Sequence, residues 1–423
     1  MNYVLYDALT TLAVPPAVAW VALRPKYRPL LSRFAPRVSG AQTSPFWVHA
    51  CSVGELSVAR PVIAALRTRY PDVPIVLTVS TVTAWDMASK NLPDATLTWF
   101  PVDQPNIVAR FFHRLNPRAL FLIETEIWPN IVREAERRNV SVMVLNARLS
   151  DKHFSRYKRH ASFFRNVFAR ITHVAAQHQT YADRFATLGV DRNRISITGN
   201  IKFDNLNTFV EESRLAQLRD ECSLKGEGPT IIFGSTRPGD EELAARCWEA
   251  WKTEFPTARL IVAPRHRERL PEALAPFKDP VALRSRIVAG EPHHDARILV
   301  IDTLGELIDF YPLSTVAIIG GSFYPGVNGH NPLEPAALGV PTVFGPYMSN
   351  FIDPAEVLVN ANAAVQVEIP DALQSAVSTL LRAPARRAAL STAAREAIAA
   401  NTGALARTMD LADSVLLKSA RAS

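Results

Sequence analysis

The segment FWVHACSVGELSVARPVIAALRTR, residues 46–69, passes from an apolar run through a glycine turn into a helical pattern. Its first part is a short, continuous apolar run, which is typical of a strand covered on both faces of a parallel sheet. Its second part has apolar residues at intervals of three and four, which is typical of an amphipathic helix. A buried strand followed at once by a helix is the repeating unit of doubly wound α/β domains.

The same alternation continues along the chain and falls into two series, separated by a polar stretch at residues 205–227. The first series predicts strands at 46–51, 75–80, 97–102, 120–124, 142–146, 173–177 and 195–198, and the second at 230–234, 259–263, 298–301, 316–320, 341–344 and 363–367. Two such series predict two Rossmann-like domains of the α/β class. Ligands are then expected beyond the carboxyl ends of the strands, in a cleft between domains that face each other.

The length of 423 residues also favours two domains, because it exceeds what one hydrophobic core usually serves. The last segment has apolar residues at helical spacing and is expected to pack back on the first domain. The predicted division is a membrane anchor at 1–24, a first domain at 25–204, a linker at 205–227, a second domain at 228–402 and a closing helix at 403–423.

The amino terminus has an apolar run at residues 4–23, about the length that a bilayer requires. Asp7 and the Pro15-Pro16 pair interrupt it, so a buried helix of the first domain is the alternative. The basic residues Arg24, Lys26, Arg28, Arg33 and Arg37 all follow the run, and none precedes it. The positive-inside rule therefore predicts a membrane anchor whose downstream domains lie on the cytoplasmic side.

The composition and the absence of certain motifs limit which partners and which kinds of active site are expected. Lys and Arg outnumber Asp and Glu by 47 to 40, which favours anionic partners. The 3 cysteines are far apart, so neither a disulfide framework nor a zinc site is indicated. The sequence has no HExxH, Walker lysine loop, GxSxG or Asp-x-Asp motif, so we predict that no metal and no cofactor take part.

Carboxylates follow the first and fourth predicted strands. Glu55 stands in the first turn of a helix, where the helix dipole favours an acid and where a general base would also lie. Both roles stay open at this point. Glu124 and Glu126, in the run ETEIWPN at 124–130, follow the fourth strand, either as helix-start acids or as groups that contact a sugar or orient a base. Glu124 is the stronger functional candidate of this pair.

The second series carries features suited to phosphate and ribose. The run GSTRPGDEE at 234–242 opens a helix directly after a strand and exposes backbone N–H groups to an anion. Arg265 follows the next strand and, together with Lys202, is expected to neutralise a leaving phosphate. The run 302–306 offers backbone groups to a base or ribose.

A glycine-rich loop at 320–335 leads into a further helix. Asn331 suits the N-cap, Pro332 the first helical position and Glu334 the third. Glu334 is also suited to accept hydrogen bonds from ribose hydroxyls. These two uses do not exclude each other.

These motifs together resemble the 3-deoxy-D-manno-oct-2-ulosonic acid (Kdo) transferases of lipopolysaccharide assembly. The resemblance is carried by HACSVGE at 49–55, ETEIWPN at 124–130, GNIKFD at 199–204 and HNPLEPA at 330–336, in an order that spans nearly the whole chain. It implies a GT-B fold and an inverting transfer of Kdo from CMP-Kdo to a lipid A precursor, lipid IVA. Nucleic acid is not expected as a partner, since no stacking module is present.

The resemblance also implies roles for individual residues. Glu55 matches the family's catalytic base, whereas Glu124 and Lys202 match positions that stabilise the transition state. The residues expected to hold the cytidine nucleotide are Pro264, Arg265, Leu304, Gly305, Glu306, Asn331, Pro332, Leu333 and Glu334.

A basic stretch between Arg148 and Arg170 suits contact with anionic headgroups, although a solvated helical face explains it equally well. Two other readings of the whole chain stay open. One is another GT-B enzyme that uses a UDP-sugar, either a transferase or an epimerase. The other is a membrane adaptor without catalytic activity.

Overall fold

The computed structural model describes residues 2–35, 44–92, 95–204, 206–224, 226, 228–292 and 296–422. The predicted basic residue Arg37 and the predicted linker ends, Asn205 and Glu227, lie outside these ranges. Contacts divide the chain into two compact units. The first comprises Met1–Asn205 with Asn401–Ser423, and the second comprises Leu206–Ala400.

The first unit alternates strands and helices as its sequence predicts. Its elements are α1 Tyr3–Ala22, β1 Phe46–His49, α2 Val53–Arg69, β2 Ile75–Val79, α3 Val82–Asn91, β3 Thr96–Trp99, α4 Pro105–Leu115, β4 Ala119–Ile123, α5 Pro129–Arg137, β5 Ser141–Ala147, α6 Asp151–Arg159, α7 Ala161–Phe168, β6 His173–Ala176, α8 Gln179–Leu188 and β7 Ile195–Ile197. Short 3-10 helices occupy Pro25–Arg33, Arg192–Arg194 and Ile201–Phe203.

The strands of the first unit form a parallel sheet in the order β3-β2-β1-β4-β5-β6-β7. Apolar side chains of β1 and β4, such as Val48 and Phe121, are fully buried, because helices cover both faces. The strand order reverses between β1 and β4. Loops diverge at such a switch point and leave a crevice beyond the strand ends.

The second unit repeats this plan. Its elements are α9 Glu212–Glu221, β8 Thr230–Thr236, α10 Asp240–Glu254, β9 Arg259–Pro264, α11 Leu270–Leu274, β10 Val281–Leu283, α12 Arg284–Val288, β11 Ile298–Val300, α13 Leu307–Phe310, β12 Val316–Ile319, α14 Leu333–Ala337, β13 Thr342–Phe344, α15 Ile352–Asn360, β14 Ala364–Gln366, α16 Leu373–Arg382 and α17 Pro384–Asn401. Its 3-10 helices are Arg267–Arg269, Tyr311–Leu313 and Pro370–Ala372.

The second sheet is also parallel, in the order β10-β11-β9-β8-β12-β13-β14, with its switch point between β8 and β12. The predicted fold class, two doubly wound α/β units, is therefore confirmed. Strand β10 was not predicted, because it has only three residues and pairs with β11 alone at the sheet edge. The segment expected as a linker contains α9, whose Leu218 is buried in the second unit.

The closing helix, α18 (Ala404–Ala422), belongs to the first unit. Met409 and Ala412 lie in the core of that unit. The carboxylate of Asp204 accepts hydrogen bonds from the backbone N–H groups of Gly403, at 2.5 Å, and Leu405. Asp204 therefore has a structural task, capping the helix, although it lies in one of the motifs that carry the family resemblance.

Among the helices in the described ranges, α1 is the one that is long and apolar enough to cross a membrane. One of its faces is docked on the first unit: Tyr6 donates to Asp103 at 2.8 Å, and Asp7 pairs with Arg133 at 2.9 Å. The other face carries Val4 and Leu12, which are 78% and 74% exposed. The helix thus combines the two alternatives that the sequence left open, a domain contact on one side and an apolar surface on the other.

Candidate active site

Glu55 lies where the sequence places it, beyond the end of β1 in the first turn of α2. Its carboxylate accepts hydrogen bonds from the backbone N–H of Cys51, at 2.6 Å, and from the hydroxyl of Ser52, at 3.3 Å. Burial, together with the neighbouring carboxylates Glu126 and Glu124, raises the pKa of Glu55 well above its ordinary value. A helix dipole alone would lower that pKa, so the surroundings of Glu55 do more than complement the dipole.

Glu124 lies across the switch point, immediately after β4. Its backbone is in the left-handed region, with φ 61°, which is uncommon for a residue other than glycine. Its carboxylate forms an ion pair of 2.9 Å with the ammonium group of Lys202, and the two side chains are only 14% and 9% exposed. Backbone strain at a buried ion pair beside a crevice is typical of functional positions.

Lys202 reaches Glu124 from 78 residues further along the chain. It lies in the 3-10 turn Ile201–Phe203, whose first N–H is held by the buried amide oxygen of Asn146 at 2.9 Å. The amide of Asn200 accepts from the N–H of Lys202 at 3.1 Å. The turn is therefore fixed before any substrate binds, and it holds the Lys202 cation at the carboxyl edge of the sheet.

Glu126 lies in the same cluster. Its carboxylate accepts from the indole N–H of Trp128 at 3.0 Å and lies 3.8 Å from Nε2 of the buried His49. One donor atom each from Cys51, Glu55 and Glu126 fall within 4.8 Å of one another, which is a spacing that a metal ion can use. Burial raises the pKa of Cys51 to about 12, so this group is a neutral thiol when no metal ion is bound.

Asp103 fixes the start of α5, the helix that directly follows the loop bearing these acids. Its carboxylate accepts from the backbone N–H groups of Asn130, at 3.0 Å, and Ile131, at 2.9 Å, at the start of α5. It also accepts from Tyr6 of α1. Burial raises the pKa of Asp103 to about 6, against the effect of these donors. The helix α1 and the start of α5 are thus tied to one carboxylate.

In the second unit, the loops after β8 and β12 meet at the switch point. The Asp240 carboxylate accepts from the N–H of Arg237 at 2.9 Å and from that of Gly321 at 2.6 Å. Gly320 is required because a Cβ there would lie 2.4 Å from the carbonyl oxygen of Ser235. Burial raises the pKa of Asp240 to about 7. The two glycine-containing loops are therefore clamped together through backbone groups.

In this unit Glu334 and Arg265 lie close enough for the charge of Arg265 to affect the carboxyl group of Glu334. Burial raises the pKa of Glu334, whereas the amide of Asn331, at 3.2 Å, and the charge of Arg265 lower it. The Asn331 oxygen also accepts from the N–H of Leu333 at 3.1 Å. The helix begins at Leu333 with Pro332 as its N-cap, one residue later than predicted, because Asn331 forms a turn before the helix rather than its cap.

The other residues predicted to contact the nucleotide differ in whether their polar groups are free to bind a ligand. Leu304 is 77% exposed and Gly305 is exposed beside it, beyond the end of β11. The Glu306 carboxylate is already occupied, accepting from Arg214 at 2.6 Å and from Arg284 at 3.1 Å. Pro264 ends β9 and precedes the exposed Arg265.

Comparison with known proteins identifies the family. Residues 28–205 match the family model for 3-deoxy-D-manno-octulosonic-acid transferase (kdotransferase). The 3-deoxy-D-manno-octulosonic acid transferase of Haemophilus influenzae is 32% identical over 418 residues, covering 96% of this chain and 97% of that protein. The chain belongs to the Kdo transferase family. It is therefore a glycosyltransferase.

Further relatives agree. The Kdo transferase of Bordetella pertussis is 33% identical over 392 residues, 89% of each chain. A solved glycosyltransferase from Rickettsia africae has a TM-score of 0.59 at 12% identity and covers 91% of this chain and 100% of that one. A UDP-N-acetylglucosamine 2-epimerase from Listeria monocytogenes, described as putative, scores 0.53 at 13% identity and covers 82% and 91%. At these identities the two solved structures share the fold with this Kdo transferase, and nothing more follows from them.

Two further residues of this Kdo transferase lie in the cluster although the sequence analysis did not select them as site residues. His49 received no role, and Glu126 was ranked below Glu124. Both lie in motifs that the sequence singled out, but their contact joins the end of β1 to the loop after β4. No local signal shows such a contact, because it depends on the pairing of strands 70 residues apart in the chain.

Proposed function

We propose that this chain transfers Kdo from CMP-Kdo to a hydroxyl of a lipid A precursor, lipid IVA, in lipopolysaccharide assembly, with inversion at the anomeric carbon. One observation supports this most directly. Glu55, a half-buried carboxylate with a raised pKa, lies at the switch point of the first sheet beside the Glu124–Lys202 pair. A general base requires this kind of proton affinity near neutral pH.

In the proposed reaction, Glu55 accepts the proton of the acceptor hydroxyl. The hydroxyl oxygen then forms a bond to the anomeric carbon of Kdo, while the bond from that carbon to the phosphate oxygen breaks and CMP leaves. Lys202, held by Glu124, supplies a fixed positive charge to the transition state. Fixed charges stabilise transition states well, because they need no reorganisation during the reaction.

The second unit is proposed to bind the nucleotide. Arg265 would pair with the phosphate, and the Glu334 carboxylate would accept from ribose hydroxyls. Asn331, Pro332 and Leu333 would shape the pocket wall around Glu334. Pro264 and the exposed Leu304–Gly305 backbone would contact the base or ribose. The Glu306 carboxylate, held by arginines, would orient this loop rather than bind the ligand itself.

The membrane is proposed as the surface on which the acceptor is met. The exposed apolar face of α1 would lie in the headgroup region, with Arg24 and Lys26 directly after it. The basic residues of α6 and α7, such as Lys152, Arg156 and Arg165, are exposed and suit anionic headgroups. Tyr157, from the same stretch, is buried in the core and is not part of that surface. The positive-inside pattern supports the cytoplasmic side of an inner membrane.

The decisive experiment replaces Glu55 by Gln, which keeps the shape of the side chain and removes its basicity. The variant and wild type are incubated with CMP-Kdo and tetraacylated lipid A precursor, and the lipid is analysed by mass spectrometry. We expect loss of transfer by about 10²-fold or more, with CMP binding by calorimetry unchanged. The control, Asp86→Asn, alters an exposed carboxylate of α3 and should behave as wild type. Near-normal transfer by the Gln variant would contradict the proposed base.

A further inference from the structure

The proposed base shares its surroundings with a second carboxylate that has a different environment. The carboxylates of Glu55 and Glu126 lie within 4.8 Å of each other. Glu55 is bound by the N–H of Cys51 and the hydroxyl of Ser52, whereas Glu126 accepts from Trp128 and faces His49. Two carboxylates this close do not ionise independently, and the better solvated one ionises first.

Glu126 is the member held in its charged form. Burial alone would raise the pKa of Glu126, but the His49 ring and the Trp128 indole lower it below the ordinary value. His49 is itself buried, with Nδ1 at 3.0 Å from the carbonyl oxygen of Thr78 and at 3.1 Å from the hydroxyl of the same residue. A carbonyl oxygen only accepts, so Nδ1 carries a proton in this contact, and Nε2 presents a proton to Glu126 when the ring is protonated.

We infer that Glu126 is a positioning residue that sets the proton affinity of Glu55 during transfer. The inference rests on the proposed role of Glu55 as base and adds a device that tunes it. A negative charge beside Glu55 disfavours its ionised form and favours uptake of the acceptor proton. Glu126 does not itself take that proton, since the hydrogen bond from the indole N–H of Trp128 stabilises its charged form.

Other charged groups also face this pair. Glu124 adds negative charge near Glu55, but Lys202 compensates it. Arg33, from the 3-10 helix Pro25–Arg33, interacts with Glu126 and Cys51. From α6, His153 and Tyr157 also interact with Glu126. Cys51 stays a neutral thiol because burial raises its pKa to about 12. Removing the charge of Glu126 is therefore the change that alters the pKa of Glu55 with the least disturbance of the Glu124–Lys202 pair.

The test is the pH dependence of kcat/KM for Kdo transfer by the full-length protein. In wild type, activity falls on the acidic side as Glu55 becomes protonated. Glu126→Gln keeps an acceptor for Trp128 and removes the charge, so its acidic limb should move to lower pH. Glu126→Asp keeps the charge and should return the limb toward the wild-type position. Asp86→Asn is the control. It is assayed with the same substrates, so any change of activity that comes from ionisation of the substrates appears equally in its pH profile.

A purely structural role would lower activity by the same factor at every pH. An acidic limb of Glu126→Gln that coincides with those of wild type and Asp86→Asn would therefore overturn the inference. If circular dichroism shows that Glu126→Gln is unfolded, Glu126→Asn replaces it and is compared with Glu126→Asp. The Asn variant removes the charge beside Glu55, so its limb should again lie at lower pH than that of the Asp variant. An unmoved limb there would equally overturn the inference.

The Glu55→Gln experiment separates the two proposals. If Glu55→Gln is inactive and the limb of Glu126→Gln does not move, only the tuning role fails. If Glu55→Gln keeps its activity, the base assignment fails, whatever Glu126→Gln shows.

Discussion

At the scale of single residues, the backbone of Glu124 shows how the site is built against local preference. Its positive φ, 61°, turns the side chain after β4 toward Lys202, whereas an extended residue would continue the strand. Left-handed backbone costs a residue with a Cβ about 1–2 kcal/mol. Such a cost persists where the surrounding contacts hold the conformation in place.

We expect Glu124→Gly to be more stable than Glu124→Ala by about 1 kcal/mol, because glycine adopts this conformation without strain. Both variants should lose most of their transfer activity, since Lys202 loses the carboxylate that orients it. Denaturant unfolding and the mass-spectrometric transfer assay measure the two effects. Equal stability of the two variants would show that the backbone at position 124 relaxes when the ion pair is gone.

At the scale of elements, α1 is both part of the first unit and an exposed apolar surface. Tyr3 donates to the carbonyl of Pro129 at 3.4 Å, and Gln104 donates to Thr11 at 3.2 Å, in addition to the contacts of Tyr6 and Asp7. A helix held by protein along one side is not surrounded by lipid. The exposed residues, spaced around the opposite side, suit binding in the plane of the interface.

Leu12→Glu is expected to weaken binding to anionic liposomes, because it places a charge on the exposed apolar face of α1. The control Val288→Glu adds the same charge at a residue of the second unit that is 64% exposed. Co-sedimentation with vesicles measures both. If Leu12→Glu binds vesicles as tightly as Val288→Glu, this face of α1 does not contact the bilayer.

At the scale of the whole molecule, the first unit is made from two segments of chain that the second unit separates. Asp204 ends the first segment and caps α18 on the second. Tyr70 donates to Asp413 at 2.6 Å and joins α2 to the same helix. The first unit is therefore complete only when α18 has packed on it.

Asp204→Ala is expected to lower the free energy of unfolding by about 1–3 kcal/mol, because the N–H groups of Gly403 and Leu405 lose their acceptor. Thermal and denaturant unfolding measure this, with Asp86→Ala as the control at an exposed position of the same unit. CMP binding should persist at temperatures where the protein stays folded, since Asp204 is remote in sequence from the proposed nucleotide contacts. An unchanged free energy of unfolding would mean that water replaces this cap at no cost.

The sequence by itself determined the fold class, nearly all strands and the motifs that carry the family. Apolar periodicity and strand-end carboxylates are local properties, so Glu55, Glu124 and the two strand series could be predicted from neighbours in the chain. Strand β10 was not predicted, because three residues at the edge of a sheet show too little apolar periodicity.

Only the tertiary structure decided which of those residues lie together. The Lys202–Glu124 pair, the contact of Glu126 with His49 and the docking of α1 on Asp103 all join segments that are distant in sequence. Their chemistry depends on burial and on the charge of neighbours a few ångströms away, and strand pairing and side-chain packing set both. The motifs therefore named the candidate groups, and the packing of the sheet ends decided the surroundings that set their proton affinities.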